Sequence, residues 1–238
     1  MPAPEVDPSK LDFFSHVSLQ LSTPLSITRE GLSLLFTQIQ DKITEKEGRI
    51  FKVLVENLER VSQTVNNLID MYKIESGEMI FKRRAAGIKE ILNQARLSFE
   101  PRIKARGLQF LCRGPERDVE IYGNPDRVAQ IFNHLLSNAL GFTSKGSIEI
   151  AVTEKEKHVE CSVSDTGTGI AEEYLPAVFL KFQHGGLSET DPRRGAGLGL
   201  AVVKGLVNLH QGKIWIESQV GKGTKVIFTL PKMDKGNK

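Results

Sequence analysis

The sequence predicts a helical hairpin followed by an α+β sandwich, and three observations carry that reading. Up to residue 76, apolar residues recur every three or four positions with almost no strand signal. From about residue 80, alternating apolar runs and helical runs interleave. Two glycine-rich stretches, "DTGTGI" at 165–170 and "GAGLGL" at 195–200, punctuate this second part. The 238 residues make room for one large or two small domains. A hydrophobic content of 39% and a charged content of 26% are those of an ordinary globular chain.

The first helix is read from Phe14, Leu21, Leu25, Leu32, Leu35 and Ile39, with Ser18 and Thr28 in the intervening stripe positions. Thr44 followed by Glu47 reads as a capping box that opens a second helix. Its stripe is Phe51, Leu54, Leu58, Val61, Val65, Leu68 and Tyr72, and Gly77 is placed to end it. Two helices of this length cannot bury both stripes against each other. A second copy resolves this, so residues 8–76 are expected to form a dimeric four-helix bundle. Docking of the hairpin on its own C-terminal half is the alternative.

In the second part, "IFKRRA" reads as a short strand, "GIKEILNQARLSFEPRIKARG" as a helix and "LQFLCRG" as a strand. "NPDRVAQIFNHLLSNALGFTS" is an amphipathic helix with Pro125 in its first turn. "GSIEIAVTEKEKHVECSVSDTGTGI" gives two strands and a glycine loop. "GLGLAVVKGLVNLHQG" gives a helix, and "KIWIESQVGKGTKVIFTLP" a hairpin turning at Gly221 and Gly223.

Composition excludes several classes. A net charge of +3 with no stripe of Lys and Arg argues against nucleic acid, and the basic "KMDKGNK" reads as a solvated tail. Cys112 and Cys161 fit neither a zinc spacing nor a redox pair, and Cys161 sits in an alternating run as a small core residue. No apolar run approaches the ~20 residues of a membrane span, and no signal segment opens the chain. A cytoplasmic setting is therefore expected.

Glycines let a backbone approach a phosphate and offer it N–H donors. "GLGLAVVK" also opens a helix, whose free amides favour an anion. Neither loop ends in GK[ST], and neither is a dinucleotide fingerprint. Singly each is only a turn. Together with an Asn-bearing helix upstream they are far more specific. In order, "FFSHVSLQLSTPL", "IDMYKIESGEM", "HLLSNALGFT", "DTGTGI", "VFLKF", "GAGLGL" and "GKGT" resemble the catalytic core of a bacterial sensor histidine kinase from about Phe13 to Pro231. The resemblance implies a dimerisation and histidine-phosphotransfer hairpin over 1–77. It implies an ATP-binding domain of the Bergerat (GHKL) fold over 78–238.

The resemblance also implies roles. Asn138 would hold the Mg²⁺ that bridges the ATP phosphates, and Asp165 would accept a hydrogen bond from the adenine amino group. Gly167 and Gly169, with Ile170, would let the chain pass close to the base. Gly195, Gly197 and Gly199, with Leu198, would flank the mobile lid (179–194) and the phosphate-binding helix start. Thr224 would support the adenine through its hydroxyl.

The sequence departs from the family where the chemistry lies. Phe13, Thr23 and Pro24 hold the frame of the acceptor motif, but that frame puts Leu19 at the acceptor histidine and Gln20 at the acid. A leucine carries no nucleophile, and Gln cannot take a proton as a carboxylate does. His16 lies one turn early, roughly 60° round the helix and about 4.5 Å along it, and no carboxylate follows it. His134 stands in place of a first Asn. Gly141 replaces a lysine that would face the phosphates. His184 takes the place of a basic residue, with Arg193 and Arg194 nearby in sequence. The expectation is a homodimeric core of two-component signalling that binds ATP, cannot phosphorylate itself at the usual place, and pairs with a response-regulator receiver domain or a competent histidine kinase. An active kinase using His16, or a phosphatase using Thr23, is the alternative. A free-standing ATPase of the same fold, or an anti-sigma-type kinase, is disfavoured by the long hairpin.

Overall fold

In the computed structural model, residues 8–188, 191 and 195–233 are described. The side chains of residues 8–19 and of Ser22 lie outside this set. His16, Leu19, Arg193, Arg194, part of segment 179–194 and the end of the basic tail therefore fall outside it. The chain forms two compact units, Met1–Met79 and Ile80–Lys238.

The first unit is a pair of helices, α1 (Pro8–Ile39) and α2 (Glu45–Glu75). The capping box is present in full. The Glu47 N–H donates to Thr44 Oγ1 at 3.3 Å, and the Thr44 N–H donates to Glu47 Oε2 at 2.7 Å. Gly77 follows the helix at φ +75°, a conformation a side chain would strain. Phe36 and Phe51 stack with centroids 4.8 Å apart and join the helices near their connection. The stripe is only half used within one chain: Leu54, Val61 and Leu68, each seven residues apart, remain 51%, 50% and 42% exposed. On α1, Leu21 and Leu35 are also exposed. Pro24 lies inside α1, where it removes one rung of the hydrogen-bond ladder.

The second unit is a sheet covered by helices. Strands β1 (Arg84–Gly87), β2 (Gln109–Arg113) and β3 (Glu120–Gly123) precede the long strands β4 (Ser147–Glu154) and β5 (His158–Asp165). The hairpin of β6 (Ile214–Gln219) and β7 (Gly223–Pro231) closes the chain. The main sheet runs β2-β4-β5-β7-β6; β2 and β4 are parallel and the rest antiparallel. Helices α3 (Ile88–Ala105), α4 (Pro125–Phe142) and α5 (Gly199–Leu209) supply the other half of the core. Phe132 of α4 meets Phe228 of β7 edge-on at 5.3 Å, both fully buried, and Cys161 is buried on the same sheet.

Two details differ from expectation. The strand read at "IFKRRA" begins only at Arg84, and its partner, β3, has no strong sequence signal. The residues before it are engaged otherwise. Phe81 packs edge-on against His210 at 4.6 Å, and the Arg83 guanidinium donates to the Leu209 carbonyl at 2.7 Å. A short 3-10 helix, Glu172–Ala177, also stands where no element was predicted. His210 itself is fully buried. Its Nδ1–H donates to the Leu206 carbonyl at 2.8 Å, and its Nε2 accepts the Asn124 N–H at 3.1 Å. Among the described residues no helix is long and apolar enough to cross a membrane.

Candidate functional site

The site forms along one face of α4. That helix starts cleanly because Asn124 caps it, accepting the Arg127 N–H at 3.1 Å, and Pro125 sets its first turn. His134, Asn138 and Phe142 follow at four-residue intervals and so share a face. At one end, the Phe142 carbonyl accepts the Thr168 N–H from the loop "DTGTGI" at 3.2 Å. At the other, a side-chain carbon on Gly199 would lie 4.0 Å from His134 Nδ1, so the start of α5 faces that histidine. Half-buried Asn138 stands between the two.

The loop after β5 owes its path to its glycines. The Gly167 N–H donates to Asp165 Oδ1 at 2.8 Å, and a side chain at Gly167 would run into the Phe142 carbonyl. Gly169 has φ +67° and passes against the Gln219 carbonyl. Asp165 pairs across the sheet with Thr224, which places the carboxyl and the hydroxyl on adjacent strands. Burial pushes the Asp165 carboxyl above its ordinary value. The Gly167 and Thr224 backbone N–H groups and the Thr143 side chain counter part of that effect. A half-buried acceptor of this kind suits a ligand that brings an N–H.

At the far end, α5 begins at Gly199 with no side chain capping it, since Leu198 has no acceptor to offer. Among the described residues no side chain takes its first amides, and the macrodipole favours an anion there. Gly197 has φ +67°, and a side chain there would meet the Gln183 carbonyl at 2.7 Å. Its own carbonyl accepts the Phe182 N–H at 2.9 Å. Phe182 is itself left-handed, at φ 61°, which is unusual for an aromatic residue. His184 Nε2–H donates to the Gly195 carbonyl at 3.0 Å.

The second unit thus brings together His134, Asn138, Asp165, Gly167, Gly169, Ile170, Gly197, Leu198, Gly199 and Thr224, with Gly195 beside them. Among the described residues no group of three or more His, Cys, Asp or Glu could hold a metal by itself. A magnesium ion would have to be carried largely by phosphate and water oxygens, and the half-buried Asn138 is the side chain that could add a protein oxygen. The acceptor-motif residues belong to α1 of the first unit. There Gln20 and Thr23 are exposed.

Three contributors escaped sequence reasoning. Thr143 is buried beside Asp165, Phe182 has its left-handed backbone, and Ser218 bonds to the glycine loop. Only Ser218 left a signal. In "IWIESQ" it continues the inward-facing positions of Ile214 and Ile216 with a polar residue.

Known proteins resemble this geometry. Residues 123–234 match the family of histidine kinase-, DNA gyrase B-, and HSP90-like ATPases. The chain is 31% identical over 95% of its length to the sensor histidine kinase WalK of Bacillus subtilis, and 31% identical over 95% to the sensor protein SrrB of Staphylococcus aureus. It spans only 37% and 39% of those proteins. Its fold matches full-length ShkA, crystallised with AMPPNP, at a TM-score of 0.71 over 93% of this chain and 46% of that one, with 23% identity. The catalytic domain of histidine kinase ThkA matches at 0.56, with 27% identity, over 63% of this chain and 96% of that one.

Proposed function

We propose, from the premise that this chain is a histidine-kinase catalytic core whose residues 123–234 belong to the ATPase family shared with DNA gyrase B and HSP90, that it binds ATP as a signalling core without phosphorylating itself at the usual position. The observation that carries the proposal is the pairing of two features on one helix face. One end of α4 meets the Asp165 carboxyl loop, and the other meets the uncapped start of α5. A base at the first and phosphates at the second match the two ends of a nucleotide, with Asn138 between them to hold Mg²⁺.

The hairpin (1–77) is the dimerisation and phosphotransfer-like part, and 78–238 is the ATP-binding domain. The exposed heptad of Leu54, Val61 and Leu68 supports a dimer through residues 8–76. Leu19 and Gln20 remove the nucleophile and the acid that phosphoryl transfer needs. The role is then regulatory: a cytoplasmic dimer that reads ATP and engages a response-regulator receiver domain or a competent kinase. A second reading, phosphatase action on a receiver domain, is favoured by the exposure of Thr23 at the helix surface.

The test is incubation with γ-labelled ATP and Mg²⁺ alongside a nucleotide titration. The expected outcome is bound ATP and an unlabelled protein. Acid-labile label that vanishes in His16→Ala would overturn the proposal in favour of a displaced acceptor. Failure to bind ATP at all would overturn it outright.

A further inference from the structure

Three side chains of α4 form a line of contacts, each about one turn from the next. The Arg127 guanidinium donates from Nη1 to Gln130 Oε1 at 2.8 Å, and Gln130 Nε2 lies 3.5 Å from His134 Nε2. Arginine has donors only. Its contact therefore fixes Gln130 Oε1 as the acceptor and turns the amide NH2 toward His134. An NH2 group donates and cannot accept. The bond to His134 is long, but two N–H groups facing each other at that distance would repel, so His134 Nε2 offers its lone pair. A neutral imidazole carries one hydrogen, and here it sits on Nδ1.

The other side of the ring decides what that hydrogen can serve. His134 is only 7% exposed, and a side-chain carbon on Gly199 would stand 4.0 Å from its Nδ1. Gly199 is the first residue of α5, whose opening amides no side chain caps. The Nδ1–H thus joins a set of backbone donors, and a set of donors suits an anion. A metal ion would need a lone pair on Nδ1. That requires the other tautomer, whose Nε2–H would oppose the Gln130 amide.

We propose that His134 serves the phosphate chain of a nucleotide as an N–H donor, not its metal ion as a ligand, and that Gln130 is the positioning residue that holds it in that tautomer. The proposal rests on reading this site as an ATP pocket. Asn138, one turn further along the same face, is then the side chain left to address the metal.

The tautomer is read first, without nucleotide, from two-bond ¹H–¹⁵N spectra of the full chain. The His134 signals are identified by their loss in His134→Asn. Hydrogen on Nδ1 is expected; an Nε2–H imidazole in the parent overturns the proposal. Dissociation constants for ATP are then measured in Mg²⁺, in Ni²⁺ and in EDTA, with circular dichroism checking the fold of each variant. His134→Phe is expected to weaken ATP about tenfold, in EDTA as in Mg²⁺. An asparagine amide places an N–H where Nδ1–H stands and has no tautomers, so His134→Asn should stay within about twofold of the parent. Gln130→Met should weaken ATP about threefold in the parent and leave His134→Asn unmoved. Equal weakening in both backgrounds marks a merely structural role and overturns the assignment of Gln130. Ni²⁺ favours imidazole, so a tightening in Ni²⁺ that His134→Asn abolishes makes His134 a metal ligand and overturns the proposal. Should Gln130→Met or His134→Phe fail to fold, the parent's tautomer and the Ni²⁺ comparison with His134→Asn decide. A parent that binds no ATP refutes the ATP reading itself, whereas a parent that binds ATP no better than folded His134→Phe refutes only the role of His134.

Discussion

Gly141→Lys tests the last turn of α4, and its distance from the phosphates, from two directions at once. Gly141 lies in the last turn of α4, exposed, with nothing within 4 Å of where a Cβ would stand. It is three residues beyond Asn138 and so near the same face. Replacing a helical glycine by lysine gains about 0.7 kcal/mol of helix propensity. A cation in the last turn adds roughly 0.3–1 kcal/mol against the macrodipole, and α4 carries no basic residue there now. The sum, about 1 kcal/mol, corresponds to a rise in Tm of roughly 2–4 °C for a unit of this size. A lysine there, its side chain pointing back along the helix toward Asn138, should also tighten ATP about five- to tenfold at low salt, which is about 1–1.4 kcal/mol, and the gain should shrink as ionic strength rises. Calorimetric melting and isothermal titration at two salt concentrations read both effects. A lower Tm would refute the claim that the position is open. An unchanged ATP affinity at low salt would refute the placement of the phosphates within a lysine's reach of Asn138.

Asp165→Asn removes a carboxyl that burial already disfavours, so the melting temperature should hold or rise while ATP affinity drops at least tenfold, as thermal shift with and without nucleotide would reveal. His210 has the opposite electrostatics to an exposed histidine. Burial holds its pKa below the ordinary 6.5, with the nearby Arg83 charge adding to the effect. The native state then binds fewer protons than the unfolded chain. The stabilisation is complete above pH 6.5 and is lost as pH falls below it; urea unfolding from pH 7.5 to 5.5 should show that loss, and His210→Phe should flatten it. Leu54→Asp puts a charge on the exposed heptad of α2, so light scattering should report a monomer with helical content kept; a dimer that survives would refute the hairpin interface. Leu19→His combined with Gln20→Glu should acquire acid-labile phosphate if the acceptor position is the site of the lost chemistry.

What was legible in the sequence was what periodicity and backbone chemistry carry. Both hairpin helices, the Thr44–Glu47 box, α4 with its proline start and the β6–β7 turn are local features written in consecutive residues. The site glycines were legible too, because a loop that must pass close to a carbonyl tolerates no side chain. Strand β3 was not, since "EIYG" is stable only by pairing with β1 some 35 residues upstream. Ser218 and Thr143 act through partners distant in sequence, and no local pattern announces a partner. The left-handed Phe182 is held by Gly197, fifteen residues on.

Helix α5 is about 16 Å long, and it is held at both ends by different business. Its first residues carry the uncapped amides that we assign to phosphates. Its last turn is gripped by Arg83 on the Leu209 carbonyl and by the packing of Phe81 on His210. The polypeptide enters this unit at Ile80, one residue before Phe81. The segment that opens this unit is thus fastened to the C-terminal end of the helix whose N-terminal end carries the uncapped amides. One helix of three turns links the start of this unit to its uncapped amides, so a change at either end acts on the same element.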